Sequence, residues 1–210
     1  MDYQNELSGK IALVTGGTKG AGSAIAERLL QAGATVIITA RNAPEKENSK
    51  LHFIPSDLSK AEGTQKVISE VLSAYGRLDI LVNNLGSSTT PAGGFTALSD
   101  EVWESTLQAN LLAPVRLDRG FLPQMLDRKN GVIIHIASIQ GKLPLYDSTL
   151  PYAAAKAGLR NYSKSLSNEV SPKGVRVLTV SPGWINTGAS KAWLAEIARN
   201  ANSTVEEAQQ

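Results

Sequence analysis

The chain has no cysteine, which excludes disulfides, thiolate catalysis and cysteine metal sites. With only two histidines, His52 and His135, there is little to build a dedicated metal site from, and redox chemistry would need an organic cofactor. Aromatic residues make up only 5% of the chain, so no stacking platform for nucleic acid stands out. Neither sign of charge dominates: 21 basic and 19 acidic residues give a net charge of +2 with no block of like charge, so nucleic acid and acidic-tail functions are not expected. No uninterrupted apolar run approaches a membrane span, and the polar start from Met1 to Glu6 has no signal-peptide pattern. A cytoplasmic protein is the expectation.

What the chain does have is enough apolar material for one core: 210 residues, 42% hydrophobic, which fits a single domain over 1–210 better than two. Apolar β-type runs occur at Ile11–Val14, Thr35–Thr39, His52–Ile54, Ile80–Val82, Val132–Ile136 and Val175–Val180. Runs that are apolar on both faces suit parallel strands covered by helices. Between them, residues 20–33, 60–75, 99–128 and 150–170 have helical periodicity and end near Gly33, Gly76, Asn130-Gly131 and Lys173-Gly174. The alternation predicts a doubly wound α/β fold, a mostly parallel sheet between two helical layers. The polar segment from Arg41 to Leu51 predicts a loop in place of one crossover helix.

The first strand leads into Thr15-Gly16-Gly17-Thr18-Lys19-Gly20-Ala21-Gly22 and then a helix. Glycines there permit a tight turn and close backbone approach, and a helix N-terminus offers N–H groups to a pyrophosphate. Where a dinucleotide fold often carries a ribose-binding acid at the end of the second strand, this chain has Ala40 and Arg41. Arg41 and Lys19 could bond a 2′-phosphate, which argues for NADP(H) over NAD(H); alternatively each is a solvated surface charge. Asp57, with Leu58 beside it, could accept from an adenine amino group or form a helix cap. Asn83-Asn84-Leu85-Gly86 ends the fourth strand at the expected reversal of strand order, where Asn84 and Gly86 could face a cofactor or merely close a turn. Asn110 lies in an apolar helical stretch, where a buried amide must find partners. Ser138 follows the fifth strand, and Tyr152 and Lys156 fall on one face of a helix entered through Pro151, with Ser148 or Thr149 available as a cap. A lysine held beside a tyrosine favours the phenolate, which would lower the phenol pKa toward neutrality. His135 is expected to be satisfied within its strand.

Thr15-Gly-x-x-x-Gly-x-Gly22, Asn83-Asn-x-Gly86, Asn110, Ser138, Tyr152-x-x-x-Lys156 and Pro182-Gly183, taken in order over about residues 8–187, resemble the short-chain dehydrogenase/reductase family. The resemblance implies a Rossmann domain with Asn110, Ser138, Tyr152 and Lys156 as catalytic tetrad. It implies cofactor contacts from Gly16, Thr18, Lys19, Gly20, Ala21, Gly22, Arg41, Asp57, Leu58, Asn84, Gly86, Tyr152, Lys156, Ile185 and Thr187. The implied reaction interconverts a carbonyl and an alcohol with NADP(H), Tyr152 acting as general acid/base and Asn110 fixing a relay water. An NAD(H)-dependent alcohol dehydrogenase and a catalytically silent nucleotide-binding sensor are the alternatives. Partners implied are a small carbonyl or alcohol substrate and further copies of the chain, as a homodimer or homotetramer, with no nucleic acid and no membrane. Leu85 departs from the family pattern and would crowd the cofactor. Residues 188–210 read as the start of a substrate lid, including the stripe Trp193 and Ile197, without the seventh strand usual in the family. Leu143, Pro144, Leu145 and Trp184 suggest an apolar pocket.

Overall fold

The computed structural model describes residues 4–45, 48–87, 90–91, 93–145, 149–200 and 203–204. Six strands form one sheet: β1 (Ile11–Thr15), β2 (Thr35–Ala40), β3 (Leu51–Pro55), β4 (Ile80–Asn83), β5 (Gly131–Ile136) and β6 (Val175–Val180). All neighbours are parallel and the spatial order is β3-β2-β1-β4-β5-β6, so the order reverses between β1 and β4. This is the doubly wound Rossmann arrangement that the strand and helix alternation predicts. No helix intervenes between β2 and β3 among the described residues.

The helices are α1 (Gly20–Gln31), α2 (Ala61–Tyr75), α3 (Asp100–Leu107), α4 (Ala113–Asp127), α5 (Leu150–Val170) and α6 (Gly188–Asn200). The period-2 geometry of the strands divides the core into two layers. Leu13, Ile37, Leu81, Ile133 and Val177 face Val67, Val71, Leu117 and Phe121 of α2 and α4. Val14, Val36, Ile38 and Val82 point the other way, toward Ile25, Ala26 and Leu29 of α1. None of the helices described is long and apolar enough to cross a membrane.

The single helix expected over 99–128 is interrupted. Gln108–Leu112 forms a π turn between α3 and α4, with the Ala113 N–H bonded to the Gln108 carbonyl. The wider turn frees the Thr106 carbonyl, which accepts from Asn110 Nδ2 at 3.0 Å. Such turns concentrate at functional sites.

Asp118, fully buried on α4, gathers three elements. Its Oδ1 accepts from Asn83 Nδ2 at 2.8 Å, and its Oδ2 lies 2.9 Å from both His135 Nε2 and the Tyr162 hydroxyl. His135 is thus held by a helix rather than within its strand, and its buried Nδ1 has no partner. Burial, with the Asp118 charge beside it, raises the Tyr162 phenol above its ordinary pKa and keeps it a donor. Removing the carboxylate strands donors from β4 and α5 in a dry interior. Asp118→Ala is therefore expected to lower unfolding free energy by about 3 kcal/mol or more, and Tyr162→Phe by about 1 kcal/mol, read from urea melts.

Candidate active site

The reversal of strand order brings the loop after β1 and the loop after β4 to one crevice at the carboxyl ends of the strands. Gly16 turns the chain at φ +64, and a Cβ on Gly22 would collide with the Gly16 carbonyl, so the first turn of α1 sits directly over the loop. Lys19 enters α1 in extended conformation, its side chain does not cap the helix, and no acidic residue occupies the first turn. An uncapped helix start above an open glycine turn fits a pyrophosphate. Thr18 is half-buried in this loop, and Ala21 follows in α1.

The β4 loop is laced beneath that turn. Asn84 Nδ2 donates to the Thr15 carbonyl at 2.9 Å, while Thr15 Oγ1 accepts from the N–H groups of Asn84 and Leu85 at 2.9 and 2.8 Å. Leu85, expected to crowd the cofactor, packs instead against the α2/α4 core layer. On the other side Thr187 lies against Gly20, with its Cγ2 3.6 Å from where a glycine Cβ would be. Thr187 and Ser190 cap one another at the start of α6: the Ser190 N–H donates to Thr187 Oγ1 at 3.2 Å and the Thr187 N–H to Ser190 Oγ at 2.8 Å. Ile185 precedes them and is exposed. The side chains of Trp193 and Ile197 lie outside the described residues.

At the β2–β3 end, Arg41 and Lys19 are exposed. Asp57 closes a turn rather than capping α2: its Oδ1 accepts from the Ser59 hydroxyl at 2.7 Å and the Ser59 N–H at 3.1 Å. Those bonds, with the Arg41 charge nearby, hold its carboxyl below the usual range. Leu58 is buried in the core, which leaves its backbone for any ligand contact.

Ser138, Tyr152, Lys156 and Asn110 come together at the carboxyl ends of β4 and β5. Lys156 is 2% exposed, its Nζ donates to the Ile136 carbonyl at 2.9 Å, and it lies 5.6 Å from the centroid of the Tyr152 ring. Gly86 is what lets the two halves meet: a Cβ there would press to 3.2 Å from Lys156 Nζ and 3.3 Å from Asn110 Oδ1. The Asn110 amide is spent on the backbone of Ser87, donating to its carbonyl at 2.8 Å and accepting from its N–H at 3.2 Å. Thr149 precedes α5 without capping it, its hydroxyl donating instead to the Leu145 carbonyl at 2.7 Å. Ser148 lies outside the described residues.

The electrostatics run against the expectation for the tyrosine. Burial raises the Tyr152 phenol above its ordinary pKa, and the Ser138 hydroxyl offsets this only in part. Lys156 is the group brought down, to about 8, by its own burial. Thr15, Ser87, Asp118 and Ser190, which hold this arrangement, escape a sequence reading because each bonds partners distant in sequence or hidden in loops. The buried Thr15 at the end of an apolar strand is the one with a visible signal. Among the described residues no three His, Asp or Glu side chains gather as metal ligands would.

An open parallel sheet whose polar side chains converge on a glycine turn at the reversal point belongs to the dinucleotide-binding class of oxidoreductases. The model of the short chain dehydrogenase family matches residues 10–198, and the chain belongs to that family. It is 39% identical over 195 residues to the 3-oxoacyl-[acyl-carrier-protein] reductase FabG of Vibrio harveyi, covering 89% of this chain and 78% of that protein. Among solved structures it resembles L-sorbose reductase from Gluconobacter frateurii, complexed with NADPH and L-sorbose, at TM-score 0.84 and 31% identity, over 99% of this chain and 81% of that one. A metagenomic short-chain oxidoreductase in complex with NADP aligns at TM-score 0.79 and 36% identity, over 85% and 83% of the two chains. A Streptomyces avermitilis short-chain dehydrogenase aligns at TM-score 0.77 and 37% identity, over 85% of this chain and 66% of that one.

The depressed Lys156 pKa makes stability pH-dependent. Below about 8 the folded protein bears the cost of a buried ammonium, and between about 8 and the ordinary value of 10.5 the unfolded chain binds more protons, so stability rises with pH. Cofactor-free wild type should therefore gain about 3 kcal/mol on Lys156→Met between pH 7 and pH 11. Parallel denaturant melts of the two proteins measure that gain; a constant difference would mean that Lys156 titrates normally.

Proposed function

We propose that the protein is an NADP(H)-dependent oxidoreductase that interconverts a carbonyl and an alcohol. The observation that carries this is a lysine buried beside a tyrosine phenol, with the Ser138 hydroxyl on the same phenol. When bound, NADPH supplies a hydride to the carbonyl carbon. Tyr152, kept protonated at neutral pH by its burial, gives its proton to the carbonyl oxygen. Ser138 bonds that oxygen and stabilises its developing charge, and the Lys156 ammonium stabilises the tyrosinate left behind. Oxidation is the reverse. Asn110, fastened to Ser87, holds the β4 loop and Gly86 in place and leaves the Lys156 end of the site open to a relay water.

Cofactor contacts in this scheme come from Gly16, Thr18, Lys19, Gly20, Ala21 and Gly22 at the pyrophosphate, Asp57 and Leu58 at the adenine, Asn84 and Gly86 along the crevice, and Ile185 and Thr187 at the carboxamide. Arg41 and Lys19, both exposed beside the β2 end, supply the charge for a 2′-phosphate, and the solved relative with NADP bound supports that choice. The chain would act as one domain and as a homodimer or homotetramer in the cytoplasm, with α6 contributing to a substrate lid.

Tyr152→Phe is expected to lower kcat by about a thousandfold or more while NADPH affinity stays within about threefold of wild type. NADPH oxidation and cofactor fluorescence measure the two separately. Arg41→Asp should reduce the NADPH/NADH affinity ratio at least about tenfold, a change of about 1.4 kcal/mol. An unchanged ratio would make Arg41 a spectator and leave NAD(H) as the cofactor.

A further inference from the structure

Large hydrophobic side chains stand exposed on one part of this molecule. Among the described residues they are Phe95 after β4, Ile139, Leu143 and Leu145 after β5, Trp184 and Ile185 after β6, and Leu178 and Val180 on β6 itself. The helices and the loops at the opposite end of the sheet contribute none among the described residues. Five of them are drawn to the proposed reaction centre by backbone and side-chain bonds. The Ile139 N–H donates to the Pro182 carbonyl at 2.9 Å, joining the β5 loop to the segment that carries Trp184 and Ile185. The Leu143 N–H returns to the Ile139 carbonyl at 2.8 Å. Leu145 is tied through its carbonyl to Thr149 at 2.7 Å, just ahead of Tyr152. Ile139 itself is the neighbour of Ser138.

We infer that the site takes carbonyl compounds bearing an extended apolar chain, which Ile139, Leu143, Leu145, Trp184 and Ile185 cover when the carbonyl lies between Ser138 and Tyr152. The inference rests on the proposed carbonyl chemistry and gives its substrate class. Leu143 at 66% and Trp184 at 52% exposure contribute little to the core. Their apolar surface is left for something that arrives, and two tethered loops flanking a candidate proton donor put that surface within reach of a bound substrate. A polyhydroxylated substrate would leave its hydroxyl groups facing leucine, isoleucine and tryptophan, which offer at most one hydrogen-bond donor.

The test measures kcat/KM with NADPH for 2-butanone, 2-hexanone, 2-octanone and 2-decanone, with L-sorbose alongside. The expected result is a rise of about twofold or more for each added methylene, since half-covered methylenes gain part of the full transfer free energy. All four ketones should exceed L-sorbose. In Leu143→Ser and Trp184→Ser the ratio of 2-decanone to 2-butanone should fall at least fivefold. Both residues are exposed, and each ratio is taken within one protein preparation. A flat series with measurable turnover, or a preference for L-sorbose, overturns the inference and leaves the carbonyl chemistry standing. Variants that lose oligomer mass in light scattering with the ratio unchanged assign the patch to subunit contact and also overturn it. No turnover of any of these carbonyls by a protein that binds NADPH fails the proposed chemistry, and the inference with it.

Discussion

One buried carboxylate sets the geometry on which the candidate site depends. Asp118 projects from α4 into the sheet and bonds Asn83 at the end of β4, His135 near the end of β5 and Tyr162 on α5. A charge taken out of water is tolerated only when its lone pairs are filled, and here four elements supply the donors. The consequence reaches the chemistry through the backbone. Ile136, next to His135, presents the carbonyl that holds Lys156 Nζ, and Tyr162 lies on the same helix as Tyr152 and Lys156. Fixing β5 against α5 at this point therefore fixes the distance between Ser138, at the end of one, and Tyr152, at the start of the other.

The other half of the site is built from departures from regular structure. A π turn widens the helix at Asn110, so that its amide both takes the freed Thr106 carbonyl and clasps Ser87. Gly86, beside that clasp, has no side chain to hold Lys156 and Asn110 apart. On the neighbouring strand Thr15 spends its hydroxyl on the N–H groups of Asn84 and Leu85, which carries the β4 loop under the glycine turn. Each departure costs a regular hydrogen bond or a packed side chain, and each is offset by a side chain reaching across the crevice.

Strand positions and sheet class are legible in the sequence because a parallel sheet covered on both faces must be apolar at every position, and β1 is buried along its whole length. The glycine turn and the Tyr152–Lys156 spacing are legible for a related reason: each is a local pattern. Asp118 is not. It stands between Leu117 and Arg119, beside Arg116, and by composition reads as part of a solvated face, since its partners lie 17 to 44 positions away. The π turn is hidden as well, because Leu107–Ala113 has the same apolar content that an unbroken helix would have. The side-chain direction of Leu85 depends on Thr15 holding its N–H, a contact across 70 positions.

The tyrosine is where local reasoning errs in sign. Placing an ammonium near a phenol stabilises the phenolate only to the extent that the ammonium is itself charged and the pair remains solvated enough to separate charge. In this protein both groups are buried. Burial penalises the anion of Tyr152 and the cation of Lys156 alike, raising one pKa and bringing the other down to about 8. Two groups whose ordinary values nearly coincide are driven apart, and the lysine becomes the more acidic. At neutral pH the phenol keeps its proton while Lys156 is still mostly charged, the protonation state that carbonyl reduction requires. Tyrosinate forms at little cost only when a proton acceptor, such as the oxygen of a carbonyl receiving hydride, appears beside it. The same burial that opposes the free phenolate thus ties proton release to the chemical step.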